Sequence, residues 1–288
     1  MDAVITQLAN GLVLGVIYVL VAIGLSMIFG QLGLINFAHG AFLTLTAYMA
    51  LTLYPTLGWL GVALAPVLIA GVGMIVERLL LYRAYGLEPR FGLVLTFALS
   101  LFIEALIRSV WGSENRPFPT PDIFRGVVEY GPILLTKYRL FVVVMTIAIL
   151  AALWAFMKYT AYGKILRAAA RDPEMMGLLG INSKKVFTCV FGLGTLLAGL
   201  AGVLASPLYS VSPNMSETLL MPAFVTITIG GLGSYLGATI AGLLVGVVTG
   251  LTIQLWPEAS TAAMYVLMIA VLLIRPRGLL GERWERFE

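Results

Sequence analysis

The chain has 288 residues, 60% of them hydrophobic and only 11% charged, with a mean hydropathy of +0.99 and a formal charge of +4. Soluble domains carry about 25% charged residues, so this chain has too little charge to clothe a soluble surface. That excludes a soluble enzyme, a nucleic-acid-binding protein and a disordered chain. One cysteine, Cys189, excludes an intrachain disulfide, and one histidine, His39, excludes a multi-histidine metal site made by a single chain.

The apolar stretches predict an all-α polytopic membrane protein. At about 20 residues per crossing there is material for about 8–9 transmembrane segments. In chain order they are 5–29, 37–54, 60–81, 91–111, 139–158, 185–206, 219–231, 236–254 and 262–275. The runs are continuous rather than alternating, which favours helices over barrel strands. The first is longer than a typical signal core and no basic residue precedes Arg78, so it reads as a retained span. The seventh is short and flanked by glycine, and is either a crossing, a broken helix or a re-entrant segment. All of 1–288 reads as one transmembrane domain.

Charge placement orients these spans. Thirteen of the 18 basic residues fall after span three, after span five and in the C-terminal tail. Arg108, Arg116, Arg125, Lys137 and Arg139 fall on the other side. The larger group marks the cytoplasmic face. The N-terminus is then external and the C-terminus cytoplasmic, provided segment seven crosses. An external loop at about 112–138 carries Pro117, Pro119, Pro121 and Pro132; prolines stiffen such a loop and prevent a long helix. It is either a docking surface or a plain connector.

The inner loop at about 159–184 is patterned. Asp172 and Pro173 form a helix start, a carboxylate N-cap followed by proline at the first helical position. Glu174 suits the positive end of the helix dipole. Met175, Met176, Leu178 and Leu179 follow, and Gly180 supplies a stop. A helix of about two turns is marginal alone. It is held either by a protein partner, whose groove Met-rich surfaces fit well, or by the membrane surface. Arg167 and Arg171, just before it, can meet an acidic partner or lipid phosphates.

Several polar residues lie in or beside spans. Asn36 and His39, three apart, predict a helix starting near Asn36 with both on one face. They read as part of a permeation path or as interhelical hydrogen bonding. Thr226, Thr228, Gly230 and Gly231 end the short seventh segment, which reads either as a cavity-lining unwound stretch or as tight small-residue packing. Thr44, with Thr46 and Tyr48, is a weaker path candidate, because hydroxyls in spans often bond back to their own helix. Glu104 and Arg108, four apart, are expected to pair, and Glu77 and Arg78 to snorkel at the inner end of span three.

These residues assemble into a resemblance. Ile35-Asn36-Phe37-Ala38-His39-Gly40 resembles the INFAHG stretch of permeases of branched-chain amino-acid ABC importers, the LivH type. Asn10-Gly11, Gly15, Tyr18, Ile23-Gly24-Leu25 and Phe29-Gly30 resemble that family's first span. Gly163, Arg167-Ala168 and Asp172, followed by Leu178-Leu179-Gly180-Ile181-Asn182, resemble its inner loop. Gly230-Gly231-Leu232-Gly233-Ser234 resembles its GGxGS signature, and Pro276-Arg277-Gly278-Leu279-Leu280-Gly281 its PxGLxG ending. Ala41 stands where some relatives carry Glu, and Gly163-Lys164-Ile165 where GRA is common.

The resemblance implies a permease subunit of an ATP-driven, binding-protein-dependent importer in the bacterial inner membrane. Its implied partners are a second permease, two cytoplasmic ATPases and a periplasmic binding protein. Asp172–Leu179 would be the coupling helix. The implied solutes are branched-chain or other hydrophobic amino acids, with short amides or urea, and then aromatic acids, as alternatives. No G-x-x-x-x-G-K-[ST] phosphate loop occurs in the chain. No cofactor is therefore expected in it, and ATP-Mg would bind the partner ATPases. A stand-alone secondary transporter is the competing class, disfavoured for proton coupling by the scarcity of mid-span carboxylates. An intramembrane protease is a third, weakened because Tyr235 after Ser234 breaks the GxSG pattern. No catalytic residue and no metal site is expected.

Overall fold

The apolar runs become helices whose ends fall within four residues of the expected ones in a computed structural model of the chain. The structure describes residues 2–85, 88–131, 133–171, 177–178 and 180–281. Among them are ten α-helices: α1 (Asp2–Leu32), α2 (Ala38–Leu57), α3 (Trp59–Leu79), α4 (Pro89–Trp111), α5 (Lys137–Tyr159), α6 (Ala161–Arg171), α7 (Ser183–Tyr209), α8 (Met215–Gly230), α9 (Tyr235–Leu255) and α10 (Ser260–Ile274). Eight stretches are long and apolar enough to cross a membrane, the last being Pro257–Ile274. The shorter α8 has 16 residues and contains Pro222, yet its helix is continuous. At 1.5 Å per residue it spans about 24 Å, against about 30 Å of hydrocarbon.

The chain forms two compact units. One comprises 1–26, 119–147 and 221–288. Its helices α1 and α9 meet through glycines: a Cβ at Gly11 would lie 2.6 Å from the Gly246 carbonyl oxygen, and one at Gly15 would lie 2.8 Å from that of Gly242. Close backbone approach is how membrane helices gain dispersion energy when burial from water contributes nothing.

The same unit holds most of the loop at 112–138, which is more regular than its prolines predict. Val127–Tyr130 (β1) and Ile133–Thr136 (β2) pair antiparallel, with Val127 opposite Thr136 and Tyr130 opposite Ile133. Phe124 stacks on Phe141 of α5 at 4.1 Å between ring centroids. The strand signal is β-branched and aromatic content on either side of a glycine turn.

The other unit comprises 27–118 and 148–220. There α2, α3 and α7 pack against one another, and α4 packs on α2. Gly202 of α7 sits where a Cβ would lie 2.5 Å from the Leu43 carbonyl oxygen. The helix α6, absent from the sequence-based expectation, turns Gly163, Leu166 and Ala169 inward and leaves Lys164 and Arg167 exposed. It leaves α5 through a corner in which Thr160 receives the Gly163 N–H at 2.9 Å. A side chain at Gly163 would strike the backbone of Phe156 and Met157.

Candidate functional site

Asn36 lies in the non-helical link between α1 and α2. Gly33, at φ +64°, ends the first helix, and Ala38 starts the second. The helix thus begins two residues later than expected, and Asn36 precedes it: its carbonyl accepts the His39 N–H at 3.3 Å. The Asn36 and His39 side chains are both fully buried. The Asn36 amide has no hydrogen-bond partner at either end among the described residues, and neither does that of nearby Gln31, which is 2% exposed. Thr96 of α4 closes the link, its hydroxyl donating to the Ile35 carbonyl at 3.0 Å and receiving the Phe37 N–H at 3.3 Å. Gly40 packs on Ser216 and Leu220 at the start of α8. An unpartnered buried amide costs about 1–3 kcal/mol, so this link carries polarity that the described residues leave unused.

The threonines divide. Thr44 donates to the Gly40 carbonyl at 3.1 Å, Thr46 to Phe42 at 2.7 Å and Thr228 to Phe224 at 2.7 Å. Each is a bond within its own helix. Thr226 is fully buried and its hydroxyl has no partner among the described residues.

Gly230 and Gly231 meet the C-terminal motif. The Leu279 N–H donates to the Ile229 carbonyl at 2.7 Å, and the Leu280 N–H to that of Gly230 at 3.0 Å. Gly231 has φ +99° and Gly278 φ +78°. A Cβ on Gly231 would collide with the Gly281 backbone, and one on Gly230 with that of Gly237. Ser234 caps α9, receiving the Gly237 N–H at 3.1 Å. Two motifs more than 40 residues apart therefore form one backbone clasp that takes up carbonyls at the end of α8. Gly230-Gly231 and the tail were not expected to act together; only their similar glycine content hinted at it.

Two expected ion-group placements are corrected. Glu104 and Arg108 do not pair. Glu104 accepts the Ser216 hydroxyl at 2.7 Å and Arg108 donates to the Asn214 side chain at 2.8 Å, so both tie α4 to the entry of α8. Glu77 does not snorkel. It is fully buried and accepts the Thr188 hydroxyl of α7 at 2.6 Å, while neighbouring Arg78 is exposed. In both cases a partner on or just before another helix takes the place of the helical neighbour or the surface.

Of the proposed coupling residues, Asp172, Pro173, Glu174, Met175, Met176 and Leu179 lie outside the described residues. Arg171 ends α6, Arg167 is exposed on it, and Leu178 is helical and 83% exposed. Gly180 has φ +76°, the conformation of a helix-terminating glycine. Asn182 caps α7, receiving the N–H groups of Lys184 and Lys185 at 3.1 and 3.4 Å.

A family model described as branched-chain amino acid transport system / permease component matches residues 7–274. The chain is 32% identical to the high-affinity branched-chain amino acid transport system permease protein LivH of Escherichia coli (strain K12), covering 96% of this chain and 94% of that one. It is 30% identical to the corresponding permease protein BraD of Pseudomonas aeruginosa, over 96% of this chain and 95% of that one. A probable LivH of Methanocaldococcus jannaschii is 26% identical over 94% of this chain and 90% of its own length.

Proposed function

The chain belongs to the permease family of branched-chain amino acid transport systems, and from that premise we propose how it works as the membrane-spanning subunit of an ATP-driven, binding-protein-dependent importer of branched-chain amino acids. The observation that carries this reading is the family match across residues 7–274, together with eight stretches long and apolar enough to span the inner membrane. The chain pairs with a second permease, two ATPases bind its inner face, and a periplasmic protein delivers the solute. It holds no nucleotide itself; ATP-Mg binds the ATPases. Its N-terminus is external and its C-terminus cytoplasmic.

Coupling enters through Asp172–Leu179, flanked by Arg167 and Arg171. What supports this is the exposed, helical Leu178 and the exposed Arg167 on a helix that packs against α7. A two-turn helix over this stretch would gain by burying Met175, Met176, Leu178 and Leu179 in a groove of the ATPase. Movement of that groove is passed to α7 through α6. Asn36, His39, Thr44, Thr226, Thr228, Gly230 and Gly231 are the candidates for the path. Asn36 leads them because its amide is buried and has no partner among the described residues.

The decisive experiment is leucine uptake in proteoliposomes. Uptake that requires ATP, the ATPases and the binding protein supports the reading; uptake by this chain alone would overturn it. In the assembled complex, Met175→Asp with Leu179→Asp should leave ATP hydrolysis running but abolish uptake, because charge enters an apolar groove. Coupled transport that survives the double substitution removes the docking role. Orientation is checked in a Cys189→Ser background: an impermeant thiol reagent applied from outside should label Thr120→Cys and not Glu174→Cys.

A further inference from the structure

A cavity of about 540 Å³ opens where the end of α3 meets the start of α7. It is lined by Tyr82, Arg83 and Tyr85 from the 3₁₀ turn Leu81–Ala84 and its exit, and by Ser183, Lys184 and Phe187 from α7. Its volume is in the range that takes small ligands. The rings are locked edge to face, Tyr82 on Tyr85 at 6.0 Å and Tyr85 on Phe187 at 5.6 Å between centroids. The Lys184 ammonium sits 4.7 Å over the Tyr82 ring, which holds it at the cavity. Behind the rings Glu77 is engaged by Thr188. Burial, and then the Glu77 carboxyl, push the Tyr85 phenol well above its ordinary range, so the wall stays neutral there.

The charge of the lining is one-sided. Arg83 and Lys184 are exposed and form no ion pair with any described residue, and the lining contains no carboxylate. The helix leading to the cavity is apolar on its outside, with Ile75 at 59% and Leu79 at 60% exposure. The position is therefore the border of the hydrocarbon, where acyl chains end and phosphates begin. Two unneutralised cations select an anion, three rings seat apolar and glycerol carbons, and the apolar approach distinguishes a lipid from a free ion.

We propose that this cavity is a binding site for the phosphodiester headgroup of an anionic membrane lipid, with Arg83 and Lys184 donating to the phosphate and Tyr82 and Phe187 holding the glycerol. Ser183 supplies one further hydroxyl to the headgroup. Neither the solute nor the ATPase docking enters this assignment, so it stands or falls separately from them.

The test is lipid retention by the purified full chain, counted by native mass spectrometry in neutral detergent. Short-chain phosphatidylglycerol and phosphatidylcholine are titrated in parallel. Phosphatidylglycerol should be retained in preference. Arg83→Gln and Lys184→Gln should each weaken it about fivefold, the share of one juxtamembrane charge, and the double variant more. Both residues are exposed, so the variants fold, and Arg125→Gln, whose ion pair with Asp122 lies in the outer loop, should change nothing. Equal retention of the two lipids overturns the proposal, as does undiminished retention by the double variant. Displacement by millimolar inorganic phosphate overturns the lipid assignment in favour of a free-anion site. Loss of the lipid when the ATPases assemble overturns it in favour of a protein occupant.

Discussion

The two most strongly patterned motifs of this permease are built in opposite ways. At the end of α8 the two motifs satisfy each other: the Ile229 and Gly230 carbonyls receive the Leu279 and Leu280 N–H groups, and close backbone approach at Gly230 and Gly231 leaves no room for a Cβ. At the link before α2 and the last turn of α1, Asn36 and Gln31 bury amides without partners among the described residues. The first motif is accounted for by closure of the fold. The second carries a cost that the described contacts do not offset, and that is why Asn36 leads the path candidates proposed above. Two sequence motifs of similar appearance are thus separated by where their hydrogen bonds go.

The clasp offers the largest expected effect. Gly231→Ala should lower stability by about 2–5 kcal/mol, combining a left-handed backbone with a backbone collision, and should show as loss of monodisperse protein on size exclusion. A folded Gly231→Ala protein with an unchanged melting curve would break the first half of the comparison. Next comes the α1–α9 contact. Gly246→Leu should cost about 1–3 kcal/mol or more through overpacking, read by thermal unfolding in detergent.

Asn36→Leu sharpens the second half. Replacing an unpartnered buried amide by an apolar group of similar size should raise stability by about 1–3 kcal/mol, while leucine uptake by the complex falls at least about tenfold. Stability that falls instead would show Asn36 to be a satisfied structural group. The smallest contrast is between the two threonines of α8. Thr226→Val should leave stability equal or higher, whereas Thr228→Val, which removes a bond to Phe224, should lower it by about 0.5–1 kcal/mol. Indistinguishable melting curves would deny the distinction.

Much of the fold was legible because helices in a membrane are written as long uninterrupted apolar runs. The elements that escaped are the ones whose signal is short. Helix α6 has an apolar stripe of only Gly163, Leu166 and Ala169. The hairpin at 127–136 is four residues a side and sits among prolines. Among the candidate residues, Asn36, His39 and Thr226 were legible as polar residues at membrane depth. Gln31 was overlooked because it lies at the last turn of a span, where polarity is unremarkable without knowing that it is buried.

The pairings show the limit most clearly. Glu104 and Arg108 stand at helical spacing, yet each reaches a residue more than 100 positions away. Glu77 finds Thr188 at similar separation. Spacing along one helix states which groups are able to meet; it is silent on whether another helix supplies something nearer.

From its sequence alone this protein was determined to be a multi-pass α-helical membrane protein, because hydrophobic length and charge scarcity act locally and additively along the chain. Its ordered motifs carried the family as well. What only the tertiary structure decided is which polar groups are satisfied. That depends on distances between helices, and those distances are set where glycines such as Gly11 and Gly246 let backbones touch.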